Sequence, residues 1–197
     1  MVSEPFVIDQ LLIPARVLWV LLPAYIASSF ATFSRGKGPP MDFGRFWPRD
    51  GRRVLGTSKT WVGFFVGSLC GIPFGLLEAY LMLLAPPDLA LMPQYGPTLA
   101  AALPLVAMIS FGAMAGDALG SFLKRRLGRP SGARSVLLDP LPLVLLPIGL
   151  GLVFYPSVFV LALASVEAVV WLIVFTVGLH MLFNRLGYRM GTKRVPW

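Results

Sequence analysis

Asp117 stands inside the run "GDALGSFLKRRLG" (Gly116 to Gly128), followed at helical spacing by Gly120, Ser121 and Lys124. Steps of three, four and seven residues keep these on one face of a helix. An acid, a hydroxyl and an ammonium on one stripe form a candidate site for a metal ion or the oxygens of a substrate. A rise of about 1.5 Å per residue sets Lys124 about 10 Å along the axis from Asp117. A second acid, Asp139, follows the polar segment "RPSGARSVLLD" and stands at the mouth of the next apolar run. The two carboxylates flank one loop, with Lys124, Arg125 and Arg134 nearest to them. Magnesium typically takes one or two carboxylates and leaves its other positions to water and substrate phosphates. Arginine and lysine supply the donors for those phosphates. Asp117 and Asp139 are thus the expected metal ligands and, with Lys124, the expected catalytic groups.

These residues need a scaffold, and the composition says which kind. Of the 197 residues, 56% are hydrophobic and 13% charged, where soluble domains carry about 25% charged residues. The expectation is an all-α, polytopic membrane protein forming one membrane-embedded domain over 1–197. Lone Cys70 excludes an internal disulfide and fits no metal or redox spacing. The N-terminal "MVSEPFVIDQ" has no Lys or Arg ahead of the first apolar run, so that run reads as a retained helix, not a cleaved signal.

A span takes about 20 apolar residues. Leu11 to Phe33, Trp61 to Leu84 and Thr98 to Leu123 each supply one. Leu141 to Phe183 is long enough for two, with the turn expected at "YPS", Tyr155 to Ser157. Five spans result. Net charge is +8, and the cations cluster: seven in 35–59, five in 124–134 and four from Arg185 onward. The positive-inside rule puts these clusters in the cytoplasm, with the N-terminus out and the C-terminus in. The basic balance therefore reads as membrane topology, and no nucleic-acid partner is expected. Arg16, in the first run, is close enough to the outer end to snorkel.

Glycines recur every four residues at Gly63, Gly67, Gly71 and Gly75, and again at Gly112, Gly116 and Gly120. Such stripes let helix backbones approach closely, and packing alone accounts for the first of them. A carboxylate within the second costs about 2.5–3.5 kcal/mol on insertion scales, which favours an interior or wet position for Asp117. The loop from Ser34 to Lys59 is long for a helix connection and ends in "GTSKTW". It lacks the glycine spacing and preceding strand of a P-loop. A helix N-terminus beside Lys59 still suits an anion, which marks Ser58, Lys59 and Thr60, together with Ser121, Arg125 and Arg134, as substrate contacts. His180 reads as packed or interfacial, and Glu78 and Glu167 receive no role.

Taken in order, "PMDFGR", "DGRRVLGTSKTW", "GDALGSFLKRRLG" and "LLDPL" resemble the archaeal CDP-archaeol synthase family, relatives of bacterial CTP:phosphatidate cytidylyltransferases. The resemblance implies a magnesium-dependent transfer of CMP from CTP to 2,3-di-O-geranylgeranylglycerol 1-phosphate, an unsaturated ether lipid. Pyrophosphate would leave, and the site would lie on the cytoplasmic side of the cell membrane. It carries Asp117 over as the motif acid, Lys124 and Arg125 as its basic pair, Asp139 as the first acid of the closing motif, and Lys59 as the loop lysine. Two positions depart from the family pattern: Val62 follows Trp61 where arginine is common, and Pro142 stands where a second acid is usual. Asp139 is left as the sole acid of that motif. A membrane acyltransferase, an ion-coupled transporter using Asp117 and a lipid-binding anchor are the competing readings. The transporter lacks an outward polar pathway, and the anchor leaves Asp117 without a purpose.

Overall fold

The computed structural model describes residues 4–192 except 35, 87–90 and 132, with side chains described from residue 10 onward. Arg35, Gly132, Lys193 and Arg194, which figure in the sequence reading, lie outside the described residues. Among the described residues six helices follow one another: α1 (Glu4–Phe33), α2 (Trp61–Leu84), α3 (Leu99–Arg126), α4 (Leu141–Phe154), α5 (Pro156–Leu163) and α6 (Val166–Arg189). Among the described residues, four helices are long and apolar enough to cross a membrane: α1 from Gln10, α2, α3 and α6.

The helix starts are written in side chains. Thr60, Thr98 and Ser165 each stand in extended backbone, and their hydroxyls accept from the amides of Gly63, Ala101 and Ala168 respectively. Each thereby satisfies one of the amides that a first turn leaves without a partner. At the other end of α3, Lys124, Arg125 and Arg126 fill the last turn, where positive charge complements the helix dipole.

The run from Leu141 to Phe183 departs from expectation. The sequence predicts two helices with a single turn at Tyr155 to Ser157; the turn is there, and the run breaks a second time. Pro156 drives the preceding residue out of helical geometry, and Tyr155 lies at φ −138°, ψ 53°. Nine residues after Pro156, Ser165 caps a fresh helix, so short α5 intervenes before α6. With 14 residues, α4 is about 21 Å long, less than the roughly 30 Å of a hydrocarbon core. The α5 segment folds onto it, with the Phe159 ring against Gly151.

Glycine sets how closely the helices approach. A Cβ on Gly71 would lie 2.7 Å from the Pro23 carbonyl oxygen of α1, and one on Gly67 2.6 Å from that of Ala27. The α3 stripe faces α4 instead. A Cβ on Gly116 would sit 2.0 Å from the Pro142 carbonyl oxygen, and one on Gly120 3.0 Å from that of Leu138. The core beside these seams is aliphatic, with Val17, Val20, Leu21, Leu105, Ile109 and Val144 fully buried. Its neighbour Phe159 is also fully buried.

Replacing Gly116 with alanine should therefore push α3 from the α4 backbone and cost about 1–3 kcal/mol, the usual scale of overpacking. Gly178→Ala, where a Cβ meets nothing within 4 Å, should be nearly neutral. Thermal midpoints of the two variants in detergent would check the contrast.

Candidate active site

The loop between α1 and α2 is held by one carboxylate. Asp42 is 6% exposed and takes both nitrogens of the Arg53 fork at 2.9 Å. It also accepts the amides of Gly44 and Leu55 at 3.0 Å. Burial opposes its ionisation, but Arg53 and the two amides outweigh it and pull the pKa from 3.8 down to about 2. Arg126, at the end of α3, lashes this loop to the helices. It bonds Asp50 at 2.7 Å and the Arg53 carbonyl at 2.7 Å, and its guanidinium lies over Trp47 and Phe122. Arg52 returns the contact by donating to the Arg125 and Arg126 carbonyls.

The lashing brings "GTSK" onto α3. The Gly56 amide donates to the Ser121 hydroxyl at 3.0 Å, and Thr57 bonds Ser131. Lys59 then pairs with Asp117. One loop further, Lys124 pairs with Asp139, whose second oxygen accepts the Ser135 amide at 2.8 Å. The two pairs adjoin, because Lys59, His180 and Lys124 all lie within electrostatic reach of Asp117. Both pairs are largely buried, with side chains 15% to 25% exposed.

Beside them lies Arg125, 5% exposed, with Nε and Nη1 buried and lacking any hydrogen-bond partner. A buried guanidinium left so is costly, and an anion arriving at the site would relieve it. Arg134, Ser135 and Asp139 also line a cavity of about 110 Å³ closed by α6 residues, among them His180, Asn184 and Arg185.

The residues singled out in the sequence thus fall into three groups. Asp117, Lys59, Lys124, Asp139, Arg125 and Arg134 meet at one end of the bundle. Ser121 and Thr60 are occupied structurally, the first as the acceptor of Gly56 and the second as the α2 cap. Ser58 is exposed. Val62, in the place where arginine is common, packs toward Gly38, whose φ is +90°.

Sequence reasoning missed Asp42, Arg126 and His180. Asp42 and Arg126 act through partners 11 and 76 residues away, which no local spacing reveals. His180, read as packed or interfacial, lines the cavity beside Asp139. The i, i+4 relation of His180 to Asn184 was its one available signal.

An apolar helical bundle with a cation-bordered pair of carboxylates at one end is that of a multi-pass membrane protein with a candidate site for an anionic ligand. The family follows from comparison: a model of the CarS-like family, CDP-archaeol synthase, matches residues 8–197, and the chain belongs to that family. It is 38% identical to the CDP-archaeol synthase of Pyrococcus horikoshii over 92% of this chain and 96% of the relative. With the Archaeoglobus fulgidus CDP-archaeol synthase it shares 37% over 92% and 97%. A solved structure of an intramembrane enzyme for archaeal membrane lipids biosynthesis superposes with TM-score 0.63 at 29% identity, covering 85% of this chain and 91% of that one.

Because the Asp42 pKa is depressed on folding, its contribution to loop stability is fully present above the unfolded value of about 4. It is lost as pH falls through about 2. Hydrogen exchange, corrected for intrinsic rates, should show residues 42–55 losing protection across that window. Asp42→Asn should show the loss already at neutral pH.

Proposed function

We propose that this chain is a CTP-dependent cytidylyltransferase that transfers CMP to 2,3-di-O-geranylgeranylglycerol 1-phosphate, giving CDP-archaeol and pyrophosphate. Family membership supports the reaction. The structural observation that carries it is the adjacency of two Lys–Asp pairs to buried Arg125, whose Nε and Nη1 have no hydrogen-bond partner. In this structure the lysines neutralise the carboxylates. When the triphosphate enters, its oxygens compete for Lys59, Lys124 and Arg125, and the ammonium groups turn from carboxylate to phosphate.

An oxygen of the lipid phosphate forms a bond to the α-phosphorus of CTP while the bond to the bridging oxygen of pyrophosphate breaks. No side-chain nucleophile takes part. The work of the site is positioning and stabilisation of charge spreading over the transferring group.

Magnesium belongs to this proposal. Among the described residues no group of three or more His, Cys, Asp or Glu gathers as a metal site. Two carboxylates beside a phosphate-binding cluster nevertheless suit an ion that draws several ligands from substrate. Asp117 and Asp139 would hold it, and it would neutralise charge on the triphosphate. With Pro142 in place of a second closing acid, the protein's own ligand set is small.

The proposed topology has α4 and α5 together completing a fourth crossing, with five crossings, the N-terminus out and the C-terminus in. Gathering the loops 36–60 and 127–140 and the end of α6 around one site supports this reading. The cationic clusters then lie on the cytoplasmic side, where CTP is available.

The test is pyrophosphate release by purified protein from CTP and the prenyl-ether glycerol phosphate. Wild type should require both substrates. Asp117→Asn, which removes charge without volume, should lower turnover at least about a hundredfold, the scale of losing a principal charge-stabilising group. Near-normal turnover at saturating magnesium would remove Asp117 from the site.

Magnesium should bind the nucleotide-free protein weakly and raise CTP affinity, with CTP raising magnesium affinity by the same factor. Asp139→Asn should reduce that coupling more than it reduces binding of CTP alone. Calorimetry with and without the metal measures both quantities.

A further inference from the structure

The sequence leaves open which wall of the site receives the lipid. We propose that the seam between α1 and α6 seats its glycerol phosphate, with His180 and Asn184 as donors to the phosphate and the α1 hydroxyls beside the glycerol. This rests on the cytidylyltransferase reading above. It assigns the loop wall, Gly56 to Lys59 with Arg125, to the nucleotide.

Two adjoining clefts carry the inference. The first is the cavity of about 110 Å³ that reaches Asp139, Ser135 and Arg134. The second is a narrow cleft between α1 and α6 that includes Ser28, Ser29, Thr32 and Thr176. His180 and Asn184 line both, so these two residues stand where the helix seam and the cavity beside the carboxylate adjoin. No residue of 36–60 lines either cleft, and the loop that reaches Asp117 through Lys59 stands on another wall.

The seam is polar for a membrane span, although its hydroxyls are satisfied within the protein: Thr176 bonds the Tyr25 hydroxyl, and Ser29 and Thr32 donate to carbonyls one turn back. The rest of α6 is what lipid demands, with Val169, Val170, Ile173, Val174 and Leu182 exposed. A ligand with isoprenoid chains cannot leave the hydrocarbon to enter through the aqueous loops. It must arrive sideways, headgroup leading, between helices able to part. Helix α6 is the least enclosed of the four spanning helices, with 17% of its most apolar window buried against 39% to 50% for the others. A diether glycerol phosphate matches this path in order: chains outside, ether oxygens at the hydroxyls, phosphate at His180, Asn184 and Arg185.

The experiment uses the full chain in lipid nanodiscs with three variants. Ser29→Phe fills the seam without changing charge. Asn184→Asp sets a carboxylate against the lipid phosphate, and His180→Gln keeps a donor at similar size. CTP affinity is measured by calorimetry without lipid, and the KM for prenyl-ether glycerol phosphate by pyrophosphate release. Ser29→Phe and Asn184→Asp should raise the lipid KM about tenfold or more, as like-charge contact or steric exclusion at a binding seat does. His180→Gln should raise it less, and CTP affinity should stay within about twofold of wild type. An unchanged lipid KM in Ser29→Phe or Asn184→Asp overturns the assignment, as does a loss of CTP affinity in Ser29→Phe. Lipid-dependent pyrophosphate release by the wild type tests the parent reading separately: it can stand while the seam assignment falls.

Discussion

A carboxylate kept near the end of an apolar bundle must be neutralised, and the rest of this structure is arranged around doing so. Removing charges from water is costly, and a buried pair recovers that cost only when geometry and further hydrogen bonds are good. Lys59 reaches Asp117 from the start of α2, and Lys124 reaches Asp139 from the end of α3. Each pair therefore joins two segments of the chain as well as two charges. Both remain partly accessible, so a phosphate-bearing ligand can compete for the ammonium groups without unfolding what they join.

That arrangement depends on backbone proximity. Asp139 lies beside Lys124 because α4 starts directly against α3, and it does so because Gly116 and Gly120 present no side chain to the Pro142 and Leu138 carbonyls. Pro142, the residue that replaces an acid in the family pattern, is thus part of the closest helix contact in the molecule's site region.

The long loop is equally constrained. Asp42 organises it from within, and Arg126 fastens it from outside through Asp50, the Arg53 carbonyl and two aromatic rings. Arg126 would pass in the sequence for an ordinary cytoplasmic charge. Its neighbour Arg125 makes no such anchoring contact through its buried Nε and Nη1, which lack a hydrogen-bond partner. Adjacent residues of one type on one helix turn point about 100° apart, which is enough to separate a structural role from a binding one.

Composition, charge clustering and apolar run lengths determined that the chain is a helical membrane protein. They also determined where α1, α2 and α3 lie, since hydropathy and caps such as Thr60 and Thr98 act within a few residues. The motif acids and lysines were legible for a similar reason: charge is rare in these runs, so each instance stands out. Of the two breaks between α4 and α6, the first, at Tyr155, was legible in its proline; the second was not, because "VFVLALA" is apolar throughout and the interruption rests on a single serine cap. Nor was the pairing of Lys59 with Asp117, 58 residues apart, or the place of His180 on a cavity wall shared with the segment from Arg134 to Pro140. Those were decided by which helix faces met, and that depends on glycine stripes and loop anchors acting together in three dimensions.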